Sequence, residues 1–165
     1  MGSHRLTAHG RVAAGLLRSA LVLVVAVVAL SACRRSEVFM HYEPTDVSGW
    51  ERKDTLRLDI PPLEAAGNYV TTLHVRTTTS SRYPFTALYI EVAQRWTDSC
   101  YVDTVECTFA DRETDATGIA VRQYTFPIRT LHRAAADSAH ITLRHVMRQT
   151  SVSGISDVGV SIDRN

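Results

Sequence analysis

Alternation with a period of two runs through most of this chain and restricts its fold more than any other feature. Leu56, Leu58 and Ile60 alternate with Arg57 and Asp59 before Pro61-Pro62 stops the run. Thr71, Leu73 and Val75 alternate with Thr72, His74 and Arg76, and the polar stretch from Thr77 to Arg82 reads as a loop. Leu88, Ile90 and Val92 repeat the pattern, as do Val105, Cys107 and Phe109, then Tyr124, Phe126 and Ile128. Ile141 with Leu143, and Val158 with Val160 and Ile162, complete the series. Branched and aromatic residues spaced this way, broken by Gly, Pro, Asp and Ser clusters, are the mark of half-buried strands. With a weaker candidate at Glu37 to Tyr42, about eight strands are expected. Many short antiparallel strands without amphipathic helices between them predict an all-β, jelly-roll-like sandwich or a barrel. The stretch Leu131 to Ala139 leaves room for one helical turn.

The first thirty residues follow a different rule. Met1 to Ser19 carries Arg5, Arg11 and Arg18 with no acid, and Ala20 to Leu30 is an unbroken apolar run. A basic n-region, a short apolar h-region and small residues before a cut make a secretory signal. Eleven helical residues rise roughly 16 Å, about half the hydrocarbon thickness, which is too short for a spanning anchor. Leu30-Ser31-Ala32-Cys33 closes the segment in the manner of a bacterial lipobox. The expectation is cleavage of residues 1–32, a diacylglycerol on the Cys33 sulfur and an acyl chain on its nitrogen. At about 0.8 kcal/mol per buried methylene, two or three long chains anchor durably. Residues 33–45 then form the lipidated N-terminus and tether, and 46–165 the sandwich.

Cleavage removes three of the 18 basic residues, leaving 15 against 17 acidic in a mature chain of 133. A balanced domain gives no electrostatic reason to bind nucleic acid. The length suits one domain.

Signals for chemistry are sparse. Cys100 and Cys107 lie seven residues apart, roughly 23 Å along an extended strand, beyond the reach of a disulfide without a turn. Two free thiols, with Cys107 buried, fit the phase slightly better than a bond. Asp111, Glu113 and Asp115 imitate the start of a calcium loop, but Ala116 and Arg122 occupy its glycine and glutamate positions. An acidic turn is expected there. His41, His74, His132, His140 and His145 show no zinc-like spacing and read as surface or loop residues. His140 and His145, five apart, should point opposite ways on a strand. Val47-Ser48-Gly49 and Val152-Ser153-Gly154 lack the flanking glycines of a nucleophile elbow. No metal or organic cofactor is implied, and no enzyme is expected. The aromatic residues Trp50, Tyr83, Phe85 and Trp96 stand near loops, where rings either close the ends of a core or form a partner or ligand surface. The first reading is favoured. The second is a glycan- or peptide-binding module, with Trp50, Tyr83 and Trp96 stacking on a sugar.

The layout resembles the gliding-motility lipoprotein GldH family of the Bacteroidota along most of the mature chain. The resemblance is carried by Cys33, Gly49-Trp50, Tyr69 with Arg76, and Tyr83-Pro84-Phe85 with Leu88. It continues through Asp103-Thr104-Val105-Glu106, Met147-Arg148 and Gly154-Ile155-Ser156-Asp157-Val158-Gly159-Val160. Ala87 replaces the family's usual asparagine, and the Asp111 to Gly118 stretch lacks its tryptophan. The resemblance implies a noncatalytic component of the machinery that moves surface adhesins and is linked to type IX secretion. Other gliding-motility or envelope lipoproteins would be its partners, and the periplasmic face of the outer membrane its place. Only the role of Cys33 carries over.

Overall fold

The computed structural model describes residues 36–78, 83–109 and 121–165. Every strand pair in it is antiparallel. The strands are β1 (Ser36–Pro44), β2 (Trp50–Glu51), β3 (Leu56–Ile60), β4 (Gly67–Thr78) and β5 (Ala87–Trp96). Then come β6 (Cys100–Thr108), β7 (Val121–Arg133), β8 (Ala139–His145), β9 (Ser151–Val152) and β10 (Ile155–Arg164). Two four-stranded sheets have the orders β1-β10-β4-β7 and β3-β8-β5-β6, while β2 and β9 form a separate ribbon. Among the eight long strands, each connection crosses from one sheet to the other, except the β5–β6 hairpin. This is the winding of a jelly roll.

The predicted phases place the core. Leu58, Leu73, Val75, Leu88, Ile90, Val92, Ile141, Leu143, Val158, Val160 and Ile162 are all buried on the inner faces. Truncating any of the leucines or isoleucines to alanine costs about 2–5 kcal/mol. The interior also holds a polar tie between the sheets, where Thr71 Oγ1 donates to Gln94 Oε1 at 3.3 Å.

Three expectations need correction. Most of the lipidated N-terminus and tether assigned to residues 33–45 is a strand: β1 pairs with β10 from Ser36↔Arg164 to Pro44↔Asp157. The sandwich therefore starts at Ser36 rather than residue 46. The weaker strand candidate at Glu37 to Tyr42 lies within β1, and a bulge between Glu37 and Phe39 breaks the alternation that would have marked it more strongly. The helical turn allowed at Leu131 to Ala139 is instead the end of β7, a turn and the start of β8. His74 and His145, read as surface residues, are buried.

Gly159 explains how β1 lies on its neighbour. A Cβ there would come within 2.5 Å of the His41 carbonyl oxygen and 2.6 Å of the Tyr42 ring. The bare backbone lets Tyr42 settle beside His74, at 5.8 Å between centroids, with the Arg76 guanidinium 3.6 Å from the ring centre.

Candidate functional site

The ribbon of β2 and β9 brings Trp50 into the core. Trp50 pairs with Val152, and the two turn sequences noted above meet where the Gly154 N–H donates to the Val47 carbonyl at 2.9 Å. The indole is 1% exposed, and its Nε1 donates to the Asp54 carbonyl at 3.1 Å. His145 meets the ring edge-on at 5.1 Å and contacts the Trp50 carbonyl through Nε2 at 3.1 Å. A carbonyl only accepts, so Nε2 carries the proton. Burial holds the His145 pKa below the usual imidazole range.

Trp96 occupies the other end of β8, where it pairs with Ala139. It is 3% exposed, and its Nε1 donates to Gln94 Oε1 at 3.4 Å. The Arg133 guanidinium lies 5.2 Å from its ring centre and reaches Asp98 at 2.8 Å, Ser99 at 3.1 Å and Asp137 at 3.2 Å. Arg133 and Asp137 are both buried, whereas Asp98 is exposed. A buried pair of this kind holds only while both members remain.

Tyr83 and Phe85 belong to the Trp50 end. Tyr83 is buried, donates to the Ala87 carbonyl at 2.9 Å, and packs edge-on against Phe85 at 5.4 Å and Phe109 at 5.2 Å. Phe109 in turn meets Tyr124 at 4.8 Å and Phe126 at 6.4 Å. Burial raises the Tyr83 pKa. Trp50, Tyr83 and Trp96 thus close the core, and Trp96 does so at the end away from the others. A sugar-stacking platform needs these rings exposed on one face, so that arrangement is not formed. Only Phe85 is left half-buried.

Other polar groups are largely occupied. A surface depression of about 370 Å³ is lined by Glu51, Arg52, Lys53, Arg144 and Thr150. Lys53 pairs with Glu51 at 2.7 Å, and Arg144 grips Glu91 through two bonds of 2.8 and 3.0 Å. Arg52 donates to the carbonyls of Arg148 and Gln149. Beside the rim of the sandwich, Arg129 bridges the sheets through two bonds to Asp103, at 2.9 and 2.6 Å. His74 Nε2 and Ser161 Oγ stand 2.9 Å apart, the spacing of a base and a nucleophile. Ser161 is 3% exposed and its hydroxyl also reaches Asp163 at 3.3 Å, while His74 Nδ1 has no protein partner. The pair therefore lacks an orienting group on the base and access for a substrate.

Cys100 and Cys107 are both free, one exposed and one buried, at the start and near the end of the single strand β6. Burial pushes the Cys107 thiol up to about 12. Among the described residues no group of three His, Cys, Asp or Glu is placed to hold a metal ion. The Asp111 to Gly118 stretch and Cys33 lie outside the described residues.

The profile of the GldH lipoprotein family matches residues 37–162, which is the jelly roll almost from end to end. The chain belongs to the GldH lipoprotein family. GldH lipoproteins are lipid-anchored in the cell envelope, and this chain shares that location. No curated protein matches it. Similar solved structures include dimeric latent PorU from Porphyromonas gingivalis, at 8% identity and a TM-score of 0.38 over 79% of this chain and 13% of that one. The Eiger TNF of S. frugiperda is 11% identical, with a TM-score of 0.38 over 79% of this chain and 94% of its own. The GH115 4-O-methyl-α-glucuronidase BtGH115A, specific for decorated arabinogalactans, is 12% identical, with a TM-score of 0.41 over 81% of this chain and 18% of that one. The chain thus spans less than a fifth of the PorU and glucuronidase chains.

Sequence reasoning missed the Arg133–Asp98–Asp137 cluster and the buried histidines. His145 was within reach, because it continues the inward phase of Ile141 and Leu143.

Proposed function

We propose that this GldH lipoprotein is a noncatalytic component of the gliding-motility machinery, held by lipid on Cys33 at the periplasmic face of the outer membrane. The family match over 37–162 is the observation that carries the reading. The lipobox at Leu30 to Cys33 supports the anchor, and Arg34-Arg35-Ser36 lacks the aspartate that retains some lipoproteins at the inner membrane. An interior filled by the chain's own side chains suits a body that acts through its surface, by assembling with other envelope lipoproteins.

Deleting the gene in a gliding host tests the proposal. Movement of surface adhesins should stop, and crosslinking in intact wild-type cells should capture other envelope proteins. Normal spreading of the deletion strain would overturn the motility role. Cys33→Ser should lose incorporation of radioactive palmitate and no longer sediment with the envelope.

A further inference from the structure

We propose that the jelly roll stands end-on, with its Trp96 end against the lipid headgroups and its Trp50 end facing away. The inference rests on the lipidation of Cys33 set out above, and on three features of the fold.

The first is reach. Ser36, the first residue of β1, is only three residues after Cys33. Three residues span at most about 11 Å, and the headgroup layer on one side of a bilayer is itself roughly 5–8 Å thick. Ser36 is fixed in the sheet by its pairing with Arg164. Arg164 pairs with Tyr69, and Gly67 with Arg133, so the same end holds the β3–β4 and β7–β8 connections. The end that bears Ser36 is therefore held within a few ångströms of the headgroups.

The second is the surface of that end. Pro61, Pro62 and Ala66 are exposed on one connection, and Ala134, Ala135 and Ala136 on the other. The two connections are bound together, as Leu63 N–H donates to the Asp137 carbonyl at 2.8 Å and Ala136 N–H to the Leu63 carbonyl at 2.7 Å. Arg133 and Asp137 turn their charges inward. The exposed charges there are spread out and of both signs, with Glu37, Asp59, Glu64 and Asp98 against Arg95 and Arg164, and Asp98 is matched by Arg133. Arg34 and Arg35 add two positive charges in the sequence between the lipidated cysteine and β1.

The third is contrast. Glu51, Arg52, Lys53 and Asp54 crowd into four consecutive exposed positions at the Trp50 end. Charges so dense are costly to strip of water, so this end stays in solution. The twelve residues of β4 set it roughly 35 Å from the headgroups.

Fluorescence quenching in vesicles tests the orientation. Protein expressed from the full-length gene, carrying Cys100→Ser and purified in detergent, is labelled with an environment-sensitive dye at Ala135→Cys or Ala66→Cys, and separately at Lys53→Cys or Gln149→Cys. Each is reconstituted into phosphatidylethanolamine and phosphatidylglycerol vesicles doped with a headgroup spin-labelled lipid. Quenching at positions 135 and 66 should exceed that at 53 and 149 several-fold. Equal quenching at the two ends, or stronger quenching at 53 and 149, overturns the orientation while leaving the anchor intact. Failure of all four proteins to float with the vesicles, with no quenching anywhere, instead overturns the lipidated reading and the orientation with it.

Discussion

Trp50 and Trp96 are attached to the two ends of β8, beside His145 and Ala139, and lie roughly 20 Å apart along that strand. Both are almost completely buried, so each contributes a similar apolar area to the core. Their neighbours differ in kind. Around Trp50 the polar partners are an imidazole and backbone carbonyls, all uncharged at neutral pH. Around Trp96 a guanidinium is shared among a buried carboxylate, an exposed carboxylate and the ring face. One end therefore responds to the protonation of a histidine and the other to the loss of an ion pair. Burial alone does not determine how an end of a sandwich fails; the group that satisfies its polar atoms does.

The largest effects should come from the rings themselves. Trp50→Ala and Trp96→Ala are each expected to destabilise by about 3–5 kcal/mol, read as the shift of the urea midpoint with unchanged slope. A cost below about 1 kcal/mol at either end would show that the ring is not part of the cooperative core. Arg133→Met comes next, at about 3 kcal/mol, because it strands Asp137 in the interior without its cation. Adding Asp137→Leu should recover part of that loss. If the double variant is no better than the single one, the buried pair is not what holds the Trp96 end.

Acid should separate the ends by pH window. Burial lowers the pKa of His145 and of His74, so between the ordinary imidazole value of 6.5 and the lower folded value the unfolded chain takes up protons that the native state refuses. Stability is thus fully present above about pH 6.5 and falls as the pH drops below it. Asp163 and Glu37 oppose the shift at His74, and the hydrogen bond to the Trp50 carbonyl opposes it at His145. Asp98 behaves differently: the Ser99 hydroxyl and then Arg133 hold its pKa below 3.8, and its contribution is lost only as the pH falls through that lower value. Urea midpoints measured from pH 7.5 down to 5 should decline, and His145→Gln should flatten the decline. An unchanged slope in that variant would assign the proton uptake elsewhere.

Strand phase was legible wherever one rule operated from end to end. β3, β5, β8 and β10 bury the residues their alternation predicts, and β6 turns Cys107 inward as expected. Legibility stopped at irregularities. The bulge in β1 broke the pattern, so the strand read only as a weak candidate at Glu37 to Tyr42, short of its full nine residues. The register shift opposite Thr71 and Thr72 moves β7 from one phase to the other, so Arg129, Leu131 and Arg133 face inward where continued alternation from Tyr124 would put them outside. That shift places Arg133 under Trp96, and no local pattern announces it. β2 and β9 have two residues each and exist only because distant segments meet. His74 sits on the outer phase of β4 and is buried by Tyr42 from β1, a contact that only the assembled sheet provides. The aromatic residues were easy to find but their role was not, since a ring beside a loop looks the same whether it caps a core or faces a ligand.

Backbone conformation gives the finest contrast between the two ends. Each has a residue in the left-handed region: Gly154, at φ 85°, in the connection beside Trp50, and Ala136, at φ 64°, in the turn beside Trp96. Glycine enters that region freely, whereas an L side chain meets the following carbonyl oxygen at a cost of about 1–2 kcal/mol. Gly154→Ala should therefore destabilise by about 0.5–1 kcal/mol, the strain being partly offset because the unfolded chain becomes stiffer. Ala136→Gly removes the same clash at the other end, but gives back about 0.4–1 kcal/mol because the unfolded chain becomes freer. A net gain of about 0.5 kcal/mol is expected from those opposing effects. The hydrogen bond from Ala136 N–H to Leu63 needs no side chain and survives the change. A measured loss on Ala136→Gly would mean that the alanine methyl contributes packing to the Trp96 end that outweighs its backbone strain.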